Sequence, residues 1–338
     1  MIQTIKKAII QRQLSKREIT NWRLEEVEQK QSQPNTLLFN DSSYFNGIDT
    51  SGSFFLSRMS FRTDRTNEHW LEFYHPELGL LRRLSSLGEE GDGFNQGALS
   101  FICLSPAKQW SIQFEGTMQS DAGTHQVVIN MKFEAKTPLI DFQHAMIPEN
   151  TAEQIAKEKW SRSFFQKLKE IKKMHFEQGG ILSGTISVDG KEQHYQFRSM
   201  RDHSWGLRKW SEWDRHIWIC GMLDNGDCIN ISMIKYNYLG QLAAGFYIKD
   251  QKVSYLREFP PFSVFQPNHS IVKTAQINVA FEDGLQAMVE WELQHMVPYD
   301  MDHGEYTIFE GISKGTVNGI PIRMVTEFGF NPLVYKLV

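Results

Sequence analysis

The sequence predicts an all-β chain of antiparallel hairpins, with helical stretches only at the N-terminus and in the middle. Three observations carry this. Four turn pairs, Asp189-Gly190, Asn225-Gly226, Asp283-Gly284 and Asn318-Gly319, separate apolar runs in the second half. Such pairs tolerate the positive φ angles of type I′ turns and so mark hairpins. Leu285, Ala287, Val289, Trp291 and Leu293 alternate with mostly polar residues, as a half-buried strand requires. Aromatic residues make up 12% of the chain, which suits a pleated surface. Hairpins in succession without crossover helices form a meander. Such a sheet removes its exposed edges by closing into a barrel or folding into a sandwich.

In chain order, residues 1–35 read as a polar helical arm. Ser15 and Glu18 have capping-box spacing, and the pattern predicts a helix from there to about Gln31. From Thr36 short strands follow: Ser53 to Arg62, Glu68 to Tyr74, Ala98 to Leu104, and a hairpin of Trp110 to Met118 with Gln126 to Glu134. Asp49-Thr50-Ser51-Gly52 and Gly91-Asp92-Gly93 are the turns between them. Thr151 to Lys173 has a helical stripe of Ala152, Ile155, Ala156, Trp160, Phe164, Leu168 and Ile171, with lysines on the other faces. A basic amphipathic helix can lie on a membrane, but a helix packed on a β domain with a solvated face is the simpler reading. A length of 338 residues exceeds one small core. The expected division is an arm (1–35), a first β domain (36–148), a bridging helix (149–173) and a second β domain (174–338).

A net charge of -4 argues against a nucleic-acid partner, which usually meets a basic face. Cys103, Cys220 and Cys228 cannot form a closed disulfide set, and their spacing is not that of a zinc knuckle. A two-residue turn at Asn225-Gly226 would set Cys220 opposite Ile231 and send Cys220 and Cys228 to opposite faces. No stretch resembles a secretory signal or an integral membrane segment, so the expectation is a soluble cytoplasmic protein. Nothing points to a cofactor: no glycine-rich phosphate loop and no Gly-x-Ser-x-Gly elbow is present. His295, Asp300, Asp302, His303 and Glu305 form a polar stretch whose spacing fits no metal motif, so no metal is expected there.

Ionisable and aromatic residues concentrate in Arg201-Asp202-His203-Ser204-Trp205-Gly206-Leu207-Arg208-Lys209-Trp210, followed by Trp213. This string, with His175-Phe176-Glu177-Gln178, Asp41-x-x-Tyr44-Phe45-Asn46-Gly47, Trp70-Leu71-Glu72, Gly315 and Glu327, resembles a family of domains of unknown function. That family is distantly similar to the AttH-like and carotenoid-hydratase-like group, which includes fungal Diels–Alderases. The resemblance covers roughly residues 36–330. It implies two tandem lipocalin-like (calycin) β-barrels, a cavity for hydrophobic molecules, and in some relatives cofactor-independent hydration or cyclisation.

Two readings of the string stand side by side. In the first, Asp202 is an acid/base group and His203 its partner or a hydrogen-bonding group for the ligand, while Arg201, Trp205, Arg208, Trp210 and Trp213 line a ligand site. In the second, the string is structural: Arg201 or Arg208 stacks on Trp205 to plug one barrel end, with Asp202 as its ion-pair partner. Neighbours on a regular strand point to opposite faces, so Asp202 and His203 share a cavity only across a bulge or turn. A second cluster is Tyr44, Asn46, Glu72 and Tyr74. Each pair shares a parity and so a sheet face. Glu72 is a proton donor or acceptor if buried and merely solvated if it lies on an outer face. The expected function is binding of a hydrophobic isoprenoid, polyketide or acyl compound, with acid/base hydration, isomerisation or cyclisation. A noncatalytic carrier or sensor, or an interaction module, is the alternative. The oligomeric state is open.

Overall fold

The computed structural model describes residues 2–15, 22–33, 35–63, 68–85, 93–170, 174–265, 271–301 and 303–332. The chain starts with helix α1 (Ile2–Ser15), and a single helical turn α2 (Leu24–Val27) precedes the first strand. The expected helix from Ser15 to Gln31 is not what forms. Residues 16–21 lie outside the described residues, and after Val27 the backbone leaves the helix. Glu28 and the Gln31 amide are instead drawn to buried partners, Arg201 and Asp41.

The first sheet contains β1 (Phe39–Ile48), β2 (Phe54–Arg62), β3 (Glu68–His75), β4 (Gly79–Ser85), β5 (Phe94–Gln96), β6 (Leu99–Ser105), β7 (Gln109–Ser120), β8 (Gly123–Ala135) and β9 (Ile140–Asp141). The chain then forms α3 (Phe142–Ala145), α4 (Pro148–Lys157) and α5 (Arg162–Glu170) before adding two long strands to the same sheet, β10 (Met174–Val188) and β11 (Lys191–Leu207). Neighbours run β4-β3-β2-β1-β11-β10-β8-β7, and Arg82 pairs with Gln119 to bring β4 against β7. Eight strands thus enclose one core. Its inward positions hold Phe45, Phe55, Phe73, Trp110, Phe133 and Phe197, all at most 1% exposed. Side chains of this size fill the barrel.

The chain divides differently from the sequence expectation. One compact unit is Trp22–Asp141 with Lys172–Arg208; the other is Met1–Asn21, Phe142–Ile171 and Lys209–Val338. The expected boundary at residue 174 fails because β10 and β11 close the first sheet: β11 pairs along β1, and β10 pairs along β8. The predicted single helix from Thr151 is also two helices. Trp160 Nε1 donates to the Ile155 carbonyl (2.9 Å), and Ser161 Oγ accepts from the Phe164 amide (3.1 Å), which stops one helix and starts the next. Ile171, Lys172 and Lys173 lie outside the described residues.

In the second unit β12 (Trp213–Leu223), β13 (Cys228–Tyr236), β14 (Leu239–Lys249), β15 (Lys252–Glu258), a turn α6 (Phe262–Phe265), β16 (Thr274–Phe281), β17 (Gln286–Met301), β18 (Tyr306–Val317) and β19 (Ile320–Phe330) make a closed antiparallel barrel. Ile217, Ile231, Phe281, Trp291, Met324 and Phe328 fill it. Helix α4 fits against β14, where Ile147 and Asn150 bond to the backbone of Gln241 and Ala243. The fold is all-β with two tandem lipocalin-like barrels, as the resemblance implies.

All four turn pairs lie between consecutive strands. At Asn225-Gly226 the connection is longer than two residues. The Leu223 amide bonds to the Asp227 carbonyl, and the last pair is Met222 with Cys228. Cys220 therefore faces Asn230 rather than Ile231, and Cys220 and Cys228 share a face, contrary to the two-residue prediction. Both are buried thiols, and neither forms a disulfide. Among the described residues no helix is long and apolar enough to cross a membrane.

Candidate active site

Strand β11 carries the charged-aromatic string, and its alternation splits the string in two. Arg201, His203 and Trp205 point inward; Asp202 and Ser204 point outward. The inward set closes the barrel mouth. Arg201 pairs with Glu28 through both guanidinium nitrogens (2.9 and 2.5 Å), and its Nε donates to Gln178 Oε1 (3.0 Å). Its guanidinium lies 5.6 Å from the centre of the Trp110 ring. His203 Nδ1 sits 2.6 Å from the Val27 carbonyl oxygen and Nε2 sits 2.7 Å from Asp41 Oδ1. Two acceptors require two N–H groups, so this geometry suits an imidazolium. Burial works against the charge, but Asp41 and the Val27 carbonyl outweigh it and raise the His203 pKa. Trp205 packs between Trp22 (5.9 Å, edge-on) and Phe176 (5.6 Å, stacked).

An arginine–tryptophan plug therefore exists with other partners than those expected. The indole under Arg201 is Trp110, not Trp205, and its carboxylate is Glu28, not Asp202. Arg201, His203 and Trp205 fasten the segment around α2 to the barrel. His203 is not the partner of Asp202, because one strand step separates the two faces.

On the outward face Asp202 meets a different histidine. His175 Nε2 lies 2.7 Å from Asp202 Oδ2 and 3.1 Å from Glu177 Oε1. Cross-strand register explains the grouping: Glu177 faces Asp202, and His175 stands one diagonal step away, facing Ser204. Burial lowers the His175 pKa, but the Asp202 and Glu177 carboxylates more than reverse this and carry it to about 10. At neutral pH the His175 imidazole is therefore protonated between the two carboxyl groups. Glu177 is fully buried, whereas the side chains of Asp202 and His175 keep 17% and 27% of their surface exposed. Asp202 and His175 are thus the partly exposed members of the cluster, although His175 Nε2 itself is buried.

The same face holds the second predicted cluster. Tyr44 stands opposite Asp202 on one side and Arg58 on the other, and Arg58 faces Trp70. Arg58 stacks over the Trp70 ring at 4.6 Å. One row across five strands thus reads Glu177, Asp202, Tyr44, Arg58, Trp70. In the next row Asn46, Leu56, Glu72 and Arg82 are successive neighbours, and Tyr74 stacks on Phe54 (5.1 Å). Glu72 lies on an outer face, but it is not solvated: it is 0% exposed and accepts from Arg82 Nε at 2.7 Å. Asn46 Oδ1 accepts from the Met200 amide (2.9 Å). Asp202, Glu72, Tyr44, Asn46 and Tyr74 therefore share one face of one barrel.

Other predicted site residues fall elsewhere. Arg208 is half-buried on β1's flank, with Nη2 at 3.4 Å from Ser204 Oγ. Trp210 and Trp213 belong to the other unit, where they pack on Tyr306 (5.3 and 5.8 Å). In the polar stretch after His295, Asp300 Oδ1 accepts from the Gly304 amide (2.6 Å), and Asp302 lies outside the described residues. Sequence reasoning gave no role to His175, Glu177 or Arg58. The signal was available for the first two: a two-residue turn at Asp189-Gly190 fixes the register that sets Glu177 against Asp202.

The fold is similar to that of kievitone hydratase from Nectria haematococca, at 11% identity over 90% of this chain and 91% of that one, with a TM-score of 0.51. An AttH-assigned protein from Nitrosomonas europaea aligns at 11% identity over 86% and 91% of the two chains, with a TM-score of 0.49. CghA in complex with Sch210972 aligns at 6% identity over 87% and 88%, with a TM-score of 0.49. At such identity the likeness is one of fold. No curated protein matches the sequence. The model of one family spans residues 25–329, taking in both barrels and the whole outward cluster, and the chain belongs to that family, the domain of unknown function DUF7064.

Proposed function

We propose that the chain binds a hydrophobic small molecule of isoprenoid, polyketide or acyl type on the outward face of the first barrel. There it catalyses cofactor-independent proton transfer, in the service of hydration, isomerisation or cyclisation. The observation that carries this reading is the outward cluster of His175, Asp202 and Glu177, in which two partly exposed side chains are backed by a buried carboxyl group. Structural ion pairs need no such exposure gradient. The filled interior of the barrel argues for the same face, since Phe45, Trp110 and Phe133 occupy the place a lipocalin ligand would take. Of the aromatic residues on this face Tyr74 is partly exposed, stacked on the buried Phe54, while Tyr44 and Trp70 are buried beside the charges.

Asp202 takes the proton in this reading. Its carboxylate accepts a proton from a C–H beside a carbonyl, or from water adding to a conjugated double bond. The His175 imidazolium lies 2.7 Å from Asp202 Oδ2, beside the place where negative charge develops. The proton then returns to another carbon or oxygen of the same molecule, so no redox partner enters. Kievitone hydratase is named for a hydration, which agrees with this class of chemistry without fixing the substrate here.

Native mass spectrometry of the purified protein, followed by organic extraction, tests the reading. An apolar compound at near-stoichiometric amount is expected. Wild-type protein should convert it or its partner form, and Asp202→Asn should bind it without conversion. A ligand that wild type leaves unmodified would make the chain a carrier, and an empty protein that binds no lipid or terpenoid would remove the ligand altogether.

A further inference from the structure

The two barrels close through the same seam. In each, the last strand pairs with the first on one side and with the penultimate strand on the other: β10–β11–β1 and β18–β19–β12. The outward row through the first seam is Glu177, Asp202, Tyr44. In the second barrel Phe328 faces both Phe309 and Ile217, all three inward. One step along, the outward row is therefore Glu310, Glu327, Trp218, with the Trp218–Glu327 pair direct. Carboxylate, carboxylate and aromatic recur on the penultimate, last and first strands.

The imidazole recurs too. His175 stands one diagonal step from Asp202, on the penultimate strand; His216 stands one diagonal step from Glu327, on the first strand, since it faces Gly329. Each reaches the last-strand carboxylate through Nε2. The second cluster has a further fixing group. The Tyr306 hydroxyl lies 2.7 Å from His216 Nδ1, and its ring stacks on His216 (5.6 Å) and Trp210 (5.3 Å). Burial pushes the Tyr306 phenol well above its usual range, so it stays a neutral hydrogen-bonding partner. Gly329 makes room for the imidazole, because a Cβ there would strike the His216 ring. A glycine cut to fit a histidine, a phenol locking one ring nitrogen and a carboxylate on the other make a built arrangement. Glu310 is 1% exposed, whereas the Glu327 side chain keeps 14% exposed, the same gradient as between Glu177 and Asp202.

We propose that the second barrel carries its own proton-transfer site, with Glu327 as the group that exchanges the proton, His216 as its partner and Tyr306 as a positioning residue. Its ligand is a neutral, flat or conjugated molecule with a hydroxyl or enolisable carbonyl, lying against Trp218. The C–H or O–H bond breaks toward the Glu327 carboxylate, its electron pair stays on the ligand as an enolate or phenolate, and the proton returns to the same molecule. The step consumes no oxidant or second substrate. This site goes beyond the proposed function, which places Asp202 at the centre.

Calorimetric titration of the full chain with 2-naphthol, a neutral hydroxyl donor on a flat aromatic, tests it. Wild type should take two equivalents, Asp202→Asn also two, since it keeps its ligand, and Trp218→Ala one, since the flat surface of the second site is gone. Two equivalents kept by Trp218→Ala, or a single wild-type equivalent that Trp218→Ala keeps, overturn the second site and leave the proposed function standing. A single wild-type equivalent that Trp218→Ala loses supports the second site and overturns the first. No binding by wild type overturns the second site. Tyr306→Phe serves if Trp218→Ala fails to fold. It should keep the second equivalent with affinity weakened roughly tenfold, the loss of about one hydrogen bond. It should also move the His216 ring nitrogen resonances in NMR, since the Nδ1 partner is lost, and unmoved resonances would contradict the positioning role.

Discussion

Arg201 and His203 hold the N-terminal segment by buried charge, which makes their loss one-sided. Arg201→Met alone leaves Glu28 buried and unpaired, a change that costs about 3–5 kcal/mol. Glu28 also accepts from the Ala107 amide (2.7 Å), so Glu28→Gln keeps an acceptor there. The double variant Glu28→Gln with Arg201→Met should therefore recover part of the loss in urea unfolding. A double variant no better than Arg201→Met would show that the pair's charge is not what matters. His175 makes a different prediction, in pH. Its folded pKa, about 10, lies above the ordinary histidine value of 6.5. Its contribution to stability is therefore complete below pH ~6.5 and disappears as pH rises to about 10. Between pH 7 and 10 the wild-type melting temperature should fall by roughly 3–8 °C more than that of His175→Asn, on the order of 1–2 kcal/mol. Parallel curves would contradict the ion-held imidazolium.

Among the elements, the hairpins show how much of the site was legible. Asp189 and Gly190 both have positive φ (49° and 79°), as do Asn318 and Gly319 (51° and 80°), so each is the two-residue turn its sequence announces. Counting back from the first pairs Glu177 with Asp202; counting back from the second sets Glu310 against Glu327. Both carboxylate rows were thus readable from turn chemistry alone. Asn225-Gly226 defeats the same count, since its loop holds more residues than the pair suggests and shifts Cys220 by one. Glycines at strand crossings carry a further constraint. A Cβ on Gly315 would run into the Glu290 carbonyl oxygen across the β17–β18 pair. Gly315→Ala should cost about 1–3 kcal/mol by forcing that pair apart. Thermal denaturation followed by circular dichroism checks this, and an unchanged midpoint would mean the strands give way freely.

For the whole molecule, the barrels followed from hairpin count and resemblance, but their membership did not. The stretch from Phe142 to Glu170 is helical and looks like a linker, yet the two strands after it are those that complete the first barrel. Closure is a long-range pairing between β1 and β11, 150 residues or more apart, and no local pattern encodes it. The same closure decides which side of β11 is buried core and which is candidate site. Parity separates Arg201, His203 and Trp205, which point into the barrel, from Asp202 on the outer face, to which the proposed chemistry is assigned. Hydrogen–deuterium exchange into the co-purified molecule tests that assignment most directly. With the extracted compound in D2O, wild-type protein should place deuterium on carbon, and Asp202→Asn should slow this by roughly 10²–10⁴-fold while still binding the compound. Incorporation that proceeds equally in Asp202→Asn, or that wild type never catalyses, would contradict the account.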